Sequence, residues 1–247
     1  MLVWFATGNI HKKQELAAIL SAAIPARTGQ NGIAVELKIP RDAGLDFNPE
    51  ETGSTFFENA FIKAQELYRL LEKKGTWRPG NAIIADDSGI CVDALEGRPG
   101  IYSARYSGPE MVIPEDLSQR REGTKNAEGI QICKIPSQTK TELSDADRNV
   151  LLLEELGDNP RRSSRFVCAM VLYYSPDRFF AAQETLEGEL VKNMEAARGK
   201  GGFGYDPVLY IPALGRTVAE LTEDEKNKWS HRGKAGRAIA RILDETF

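Results

Sequence analysis

The chain has 247 residues, of which 41% are apolar, 28% charged and 8% aromatic, a composition that excludes disordered and collagen-like classes and predicts one large folded domain over 1–247. Lys and Arg total 32 against 36 Asp and Glu, and the net charge of −4 disfavours the broad basic surface of a nucleic-acid or membrane-surface protein. No apolar run approaches the roughly 18 residues of a membrane helix, and MLVWFATGN has neither basic leader nor cleavage site, so the expected compartment is the cytoplasm.

In chain order, the apolar LVWFAT predicts a strand, then a tight loop at Thr7-Gly8-Asn9, then a helix with Leu16, Ile19 and Leu20 on one face. Thr55 and Glu58 form a capping box that opens a second helix, with Ala60, Ala64, Leu67 and Leu71 at helical spacing and Asn59 and Lys63 on a different face. Ala82 to Ala85 predicts a buried strand ending in the acidic turn Asp86-Asp87-Ser88-Gly89. From Pro109 to Ala146 the pattern fades into a polar stretch, an expected insertion or extended loop. A helix over 145–157 closing on Gly157, strands over 165–174 and 205–211, and a last helix capped by Ser230 complete the series. Interleaved strands and helices predict an α/β layer architecture. Cys91, Cys133 and Cys168 are odd in number and widely spaced, which excludes a disulfide framework and a CxxC metal site.

Four clusters carry candidate chemistry. Thr7, Gly8, Asn9, Ile10, His11 and Lys12 lie at a strand-to-helix junction, where free amides, the positive end of a helix dipole and a lysine suit a phosphate. An ordinary turn capped by Asn9 accounts for the same letters equally well. Glu51 and the Asp86-Asp87 pair offer the oxygens that a hard cation such as Mg2+ takes, and strand alternation lets only one of the two aspartates face a ligand directly. The segment from Gly199 to Asp206 matches GxGxxG by letter but precedes a strand instead of opening a helix, so it is no dinucleotide fingerprint. It remains a close-approach loop in which Phe203 could stack on a base and Asp206 accept from it, or a hairpin loop with Phe203 in the core. Lys226, His231 and Arg232 form a donor-rich corner, or else a solvated charged helix, and Lys63 alone is equally ambiguous.

Read together, TGNxxK, ETGxTFxENAxxKA, ADDSGxxVDALxGxPGxYSARYSG, GGFGYDP and AELTxxEKNxxSHR resemble the inosine/xanthosine triphosphate pyrophosphatases, over about residues 2–108 and 147–240. The resemblance implies an elongated two-lobed α/β fold around a long mixed sheet, with a purine nucleotide in the cleft between lobes and a homodimer as the usual assembly. It places the triphosphate on Thr7 to Lys12 and Lys63, Mg2+ on Glu51 and Asp87, Asp87 as general base beside Ser88, and the base against Phe203, Gly204, Tyr205, Asp206, Lys226, His231 and Arg232. His11 departs from the glycine of many members, and the Pro109 to Ala146 stretch is longer than usual.

The implied reaction is hydrolysis of ITP, dITP or XTP to the monophosphate and pyrophosphate, which cleanses the nucleotide pool. A 6-keto acceptor separates these substrates from ATP, whereas GTP shares it. Two other readings are a pyrophosphatase for modified or pyrimidine triphosphates and a nucleotide-binding regulator without turnover.

Overall fold

The computed structural model describes residues 1–24, 35–109 and 143–246. Most of the predicted insertion, and Cys133, lie outside these residues. Helix α3 begins at Asp145, so the excursion ends before the boundary expected at Ala146.

A seven-stranded sheet runs in the order β2-β1-β3-β4-β5-β6-β7. Strand β1 (Leu2–Phe5) lies parallel to β2 (Glu36–Lys38) and to β3 (Ala82–Val92). The remaining pairs are antiparallel: β3 with β4 (Ser163–Ser175), β4 with β5 (Arg178–Leu190), β5 with β6 (Leu209–Ile211) and β6 with β7 (Arg216–Thr217). The helices are α1 (Ile10–Ala23), α2 (Phe56–Lys73), α3 (Asp145–Leu156), α4 (Glu223–Trp229) and α5 (His231–Thr246).

The period of two decides what each face of the sheet meets. Val3, Phe5, Ala82 and Ile84 pack against Leu16 and Leu20 of α1 and Ala235, Ile239 and Leu243 of α5. Trp4, Ile83 and Ala85 face the other way, onto Ala60, Ala64, Leu67 and Leu71 of α2. A separate core at the far end joins Ile90 and Val92 to Leu152, Leu153 and Leu156 of α3, with Phe166, Leu190, Tyr205 and Leu209. These cores make two lobes, and the middle of β3 passes between them.

Four sequence expectations change. Strand β3 does not end at Ala85, because β4 supplies a partner at every step: Asp86 pairs with Met170, Asp87 with Ala169, Ser88 with Cys168 and Gly89 with Val167. Gly89 is required there, since a Cβ would collide with the Gly100 carbonyl and the Ser103 hydroxyl. The strand expected over 205–211 is shortened to Leu209–Ile211, because the Val208 and Leu209 amides both turn back to the Tyr205 carbonyl. Strands β2 and β5 were not anticipated; β5 is mostly exposed and carries no apolar alternation.

Candidate active site

A cleft of about 510 Å3 opens between the lobes at the middle of β3. One wall is the start of α1. Asn9 caps that helix, its Oδ1 accepting from the His11 amide at 2.9 Å and the Lys12 amide at 3.2 Å, while its own amide donates to Thr7 Oγ1. A Cβ added at Gly8 meets nothing within 4 Å, so the protein's own packing does not demand the glycine and the space beside it is open to a ligand. The turn is therefore both a capped βα junction and a wall of the cleft. Asn9, His11 and Lys12 line the cleft; Thr7, Gly8 and Ile10 do not.

The adjacent aspartates of β3 go to opposite faces. Asp86, buried, accepts from Lys12 Nζ at 3.0 Å and from Arg232 Nε at 3.2 Å. Burial alone would raise its pKa, but the charges of Lys12, Arg232 and Lys63 outweigh burial and hold its carboxyl well below the usual range. Asp87 turns toward α2, accepting from Lys63 Nζ at 3.3 Å and Asn59 Nδ2 at 3.2 Å. Here burial prevails: Lys63 offsets it only in part, Glu51 adds to it, and the pKa is raised. Asp87 lines the cleft and Asp86 does not.

Lys63 also donates to Glu51 Oε1 at 2.9 Å, so one buried ammonium bridges two carboxylates. Burial works against that charge, yet Asp87, Asp86 and Glu51 raise the Lys63 pKa above its ordinary value. Arg105 Nη1 reaches the other oxygen of Glu51 at 3.3 Å. Burial raises the Glu51 pKa, but Lys63 and Arg105 reverse it, and the net shift is downward. Among the described residues no group of three or more His, Cys, Asp or Glu could hold a metal. Any cation here would have the two carboxylates Glu51 and Asp87.

The opposite end of the cleft is the glycine-rich loop. Phe203 is 37% exposed, not in the core, and its ring lies 4.6 Å from Lys226 Nζ and 5.6 Å from Arg232 Cζ. Asp206 accepts from the Phe203 amide at 2.9 Å and from Lys226 at 2.8 Å, and burial raises its pKa despite Lys226. A Cβ at Gly202 would run into the Asp206 carboxylate, which explains that glycine. His231 stacks on Phe166 with centroids 4.8 Å apart. Its pKa is lowered well below the usual value by burial, then by Arg232 and Lys226, so the ring is neutral, and its Nδ1 is buried without a partner among the described residues.

Arg232 lines the cleft but is heavily committed: Nε to Asp86, Nη1 to Glu15 at 2.8 Å and Nη2 to Ser88 Oγ at 2.8 Å. Burial opposes its charge, and Asp86 and Glu15 more than compensate. Glu51, Lys63, Asp87, Ser88, Phe203, Gly204, Tyr205, Asp206, Lys226 and His231 complete the predicted residues that the structure brings into the lining. Sequence reading missed Ser103, Phe166, Asp145 and Arg148 in the lining and Asn149 and Glu15 behind it.

The Ham1 family profile matches residues 3–131 and 110–242. A Treponema denticola protein named dITP/XTP pyrophosphatase is 38% identical over 98% of both chains, and a Leptospira biflexa protein of the same name is 36% identical over 94% of this chain and 90% of its own. The solved Ham1 protein of Staphylococcus aureus superposes over the full length of both chains with a TM-score of 0.70 at 28% identity.

Proposed function

The chain belongs to the Ham1 family, and we propose that it is a nucleoside triphosphate pyrophosphatase that hydrolyses dITP, ITP and XTP to the monophosphate and pyrophosphate. The observation that carries this reading is the Lys63 ammonium lying between the Glu51 and Asp87 carboxylates in a cleft with a helix N-terminus at one end and the Phe203 ring at the other. The whole chain acts as one catalytic unit.

The two carboxylates fit Mg2+, which takes one or two protein carboxylates and fills its other positions with water and substrate phosphate oxygens. Burial disfavours the ionised form of Asp87, so the pair is short of positive charge as it stands. Glu51 and Asp87 would hold the ion, which when bound neutralises charge on the phosphate oxygens.

The remaining roles follow from the protein's own groups. Lys12, Lys63 and the positive end of the α1 dipole bind the triphosphate and oppose the charge that grows on the leaving pyrophosphate. Asp87 orients the water that attacks the α-phosphorus and takes its proton. Phe203 stacks on the purine and Lys226 donates to the 6-keto oxygen. Adenine presents an amino donor at that position and leaves Lys226 facing a like donor, which disfavours ATP. Arg232, tied to Asp86, Glu15 and Ser88, holds the pocket in shape and keeps two of its five N–H donors for the base.

No helix among the described residues is long and apolar enough to cross a membrane. We place the enzyme in the cytoplasm as a homodimer; the partly exposed aromatic patch of Phe57, Phe61 and Phe179 supports a self-contact. The reaction is tested by incubating the protein and Mg2+ with ITP, dITP, XTP, GTP, ATP and dTTP and assaying pyrophosphate and orthophosphate separately. Pyrophosphate from ITP, dITP and XTP is expected; orthophosphate from ITP, or equal rates on all six, overturns the reading.

A further inference from the structure

The loop that presents Phe203 contains Gly199, Gly201, Gly202 and Gly204, of which Gly199, Gly202 and Gly204 take positive φ values of 81°, 76° and 62°. Glycine has more backbone freedom to lose than any other residue, so the loop has little conformational preference of its own, and its local tie is the turn in which the Phe203 amide donates to Asp206 at 2.9 Å. Yet the ring is 37% exposed and receives no full core packing to hold it. That turn closes only on Phe203 itself, and the residue that follows it is held from outside the loop.

The residues that hold it stand on the first turns of α3. Asp145 Oδ2 accepts from the Gly204 amide at 2.7 Å, and Asn149 Nδ2 donates to the Gly204 carbonyl at 3.1 Å. The spacing of four residues puts both side chains on one helix face, so a single face grips both polar groups of one residue, the one directly after Phe203. The contacts span 59 and 55 positions of sequence, which makes them tertiary. Helix α3 is itself fixed in the far core through Leu152, Leu153 and Leu156.

We propose that Asp145 and Asn149 are positioning residues that set the Phe203 ring and thereby the nucleobase selectivity of the cleft. The proposal rests on the nucleotide reading above and deepens it. The bond to the Asp145 carboxylate is charge-assisted and the stronger of the two. Gly204 supplies the αL conformation that turns both its N–H and its C=O toward α3. Loss of either grip frees a ring that contacts substrate without disturbing the groups at Glu51, Lys63 and Asp87.

The side chain of Asp145 is 48% exposed, so Asp145→Ala leaves the core intact. Its expected effect is about a tenfold rise in KM for ITP and a similar fall in the ITP-over-ATP ratio of kcat/KM, with kcat within about twofold, the scale of one lost charged hydrogen bond. Asp145→Asn keeps an oxygen for the Gly204 amide and restores most of the selectivity. Asn149→Asp sets a carboxylate against the Gly204 carbonyl and moves KM in the same direction as Asp145→Ala. Val150→Ala, on the exposed side of the same helix, is the control.

Amide exchange provides a readout free of catalysis: the Gly204 amide exchanges about tenfold faster in Asp145→Ala, the scale of one lost hydrogen bond, while amides within α3 keep their protection. An active wild type whose Asp145→Ala variant keeps its selectivity and its Gly204 protection overturns the proposal, as does a variant that loses kcat alone. A wild type that releases pyrophosphate from no nucleotide sinks the functional reading instead, and the exchange measurement still decides whether the grip exists.

Discussion

Asp86 and Asp87 are consecutive residues of one strand, both with little solvent exposure, and they meet opposite electrostatic fates. Asp86 faces α1 and α5 and has two cations, Lys12 and Arg232, within 3.2 Å. Asp87 faces α2 and shares a single ammonium with a second carboxylate, its other partner being the neutral amide of Asn59. Burial presses on both; the surplus of positive charge wins at Asp86 and loses at Asp87. A fully paired buried charge is a structural tie, whereas an underpaired one is available to a proton or a metal. On the proposed function, the two sides of β3 divide holding the fold from doing the chemistry.

The largest test of that division is Asp87→Asn, which keeps the shape and removes the base. Pyrophosphate release is expected to fall by about 10^2- to 10^4-fold. The melting temperature should hold or rise, because asparagine ends the burial cost of the carboxylate, which Lys63 offsets only in part, and also the repulsion from Glu51. A large loss of stability in this variant would break the comparison.

Asp86→Asn is the mirror experiment. It leaves Lys12 and Arg232 facing no full negative charge on β3, and urea unfolding at neutral pH should report a loss of about 3–5 kcal/mol, the usual cost of breaking a buried pair on one side. A loss no greater than that of Asp87→Asn would show that the neighbouring aspartates are equivalent after all.

A smaller effect separates His231 from its charged surroundings. Its native pKa is depressed well below 6.5, so the unfolded chain binds the extra proton first and stability falls as pH drops below 6.5. For that one group the slope is about 1.4 kcal/mol per pH unit. His231→Asn should remove this component of the slope between pH 6.5 and 5, measured by urea unfolding across the range; an unchanged slope would mean that the ring is charged in the native state.

The smallest effect sharpens the comparison most. Lys13 pairs with Asp42 at 2.8 Å, a shorter distance than Lys12 to Asp86 at 3.0 Å, but on the surface. Lys13→Ala should cost no more than about 1 kcal/mol, since water screens the pair and the lysine loses rotamer freedom to make it. If it cost as much as Asp86→Asn, distance and not burial would set the worth of these ion pairs.

Strand alternation already separated Asp86 from Asp87 in the sequence, because a period of two is local. The continuation of β3 past Asp86 was not legible: Asp-Asp-Ser-Gly reads as a turn until β4 lies alongside it. Strand β5 was hidden for the opposite reason, since exposed strands lack the apolar alternation that marks half-buried ones. The grip of α3 on Gly204 was invisible because Asp145 and Asn149 are ordinary residues for the start of a helix, and only the fold brings Gly204 to them. The partners that hold Arg232 in place, Asp86, Glu15 and Ser88, were invisible in the sequence because all three lie more than a hundred residues away along the chain.

The ladder between β3 and β4 runs unbroken from Ile83 with Tyr173 to Val92 with Ser164, and its register shift falls elsewhere, between Tyr173 and Ser175 on the β5 side. A single residue inserted between Ala82 and Asp86 would therefore turn both aspartates to the opposite face, moving Asp86 into the place of Asp87 beside Lys63 and Asp87 into the place of Ser88 beside Arg232. The strand is thus a ruler for the cleft: a change of length inside it resets which side chain meets Lys63, whereas a change in a connection leaves that count intact.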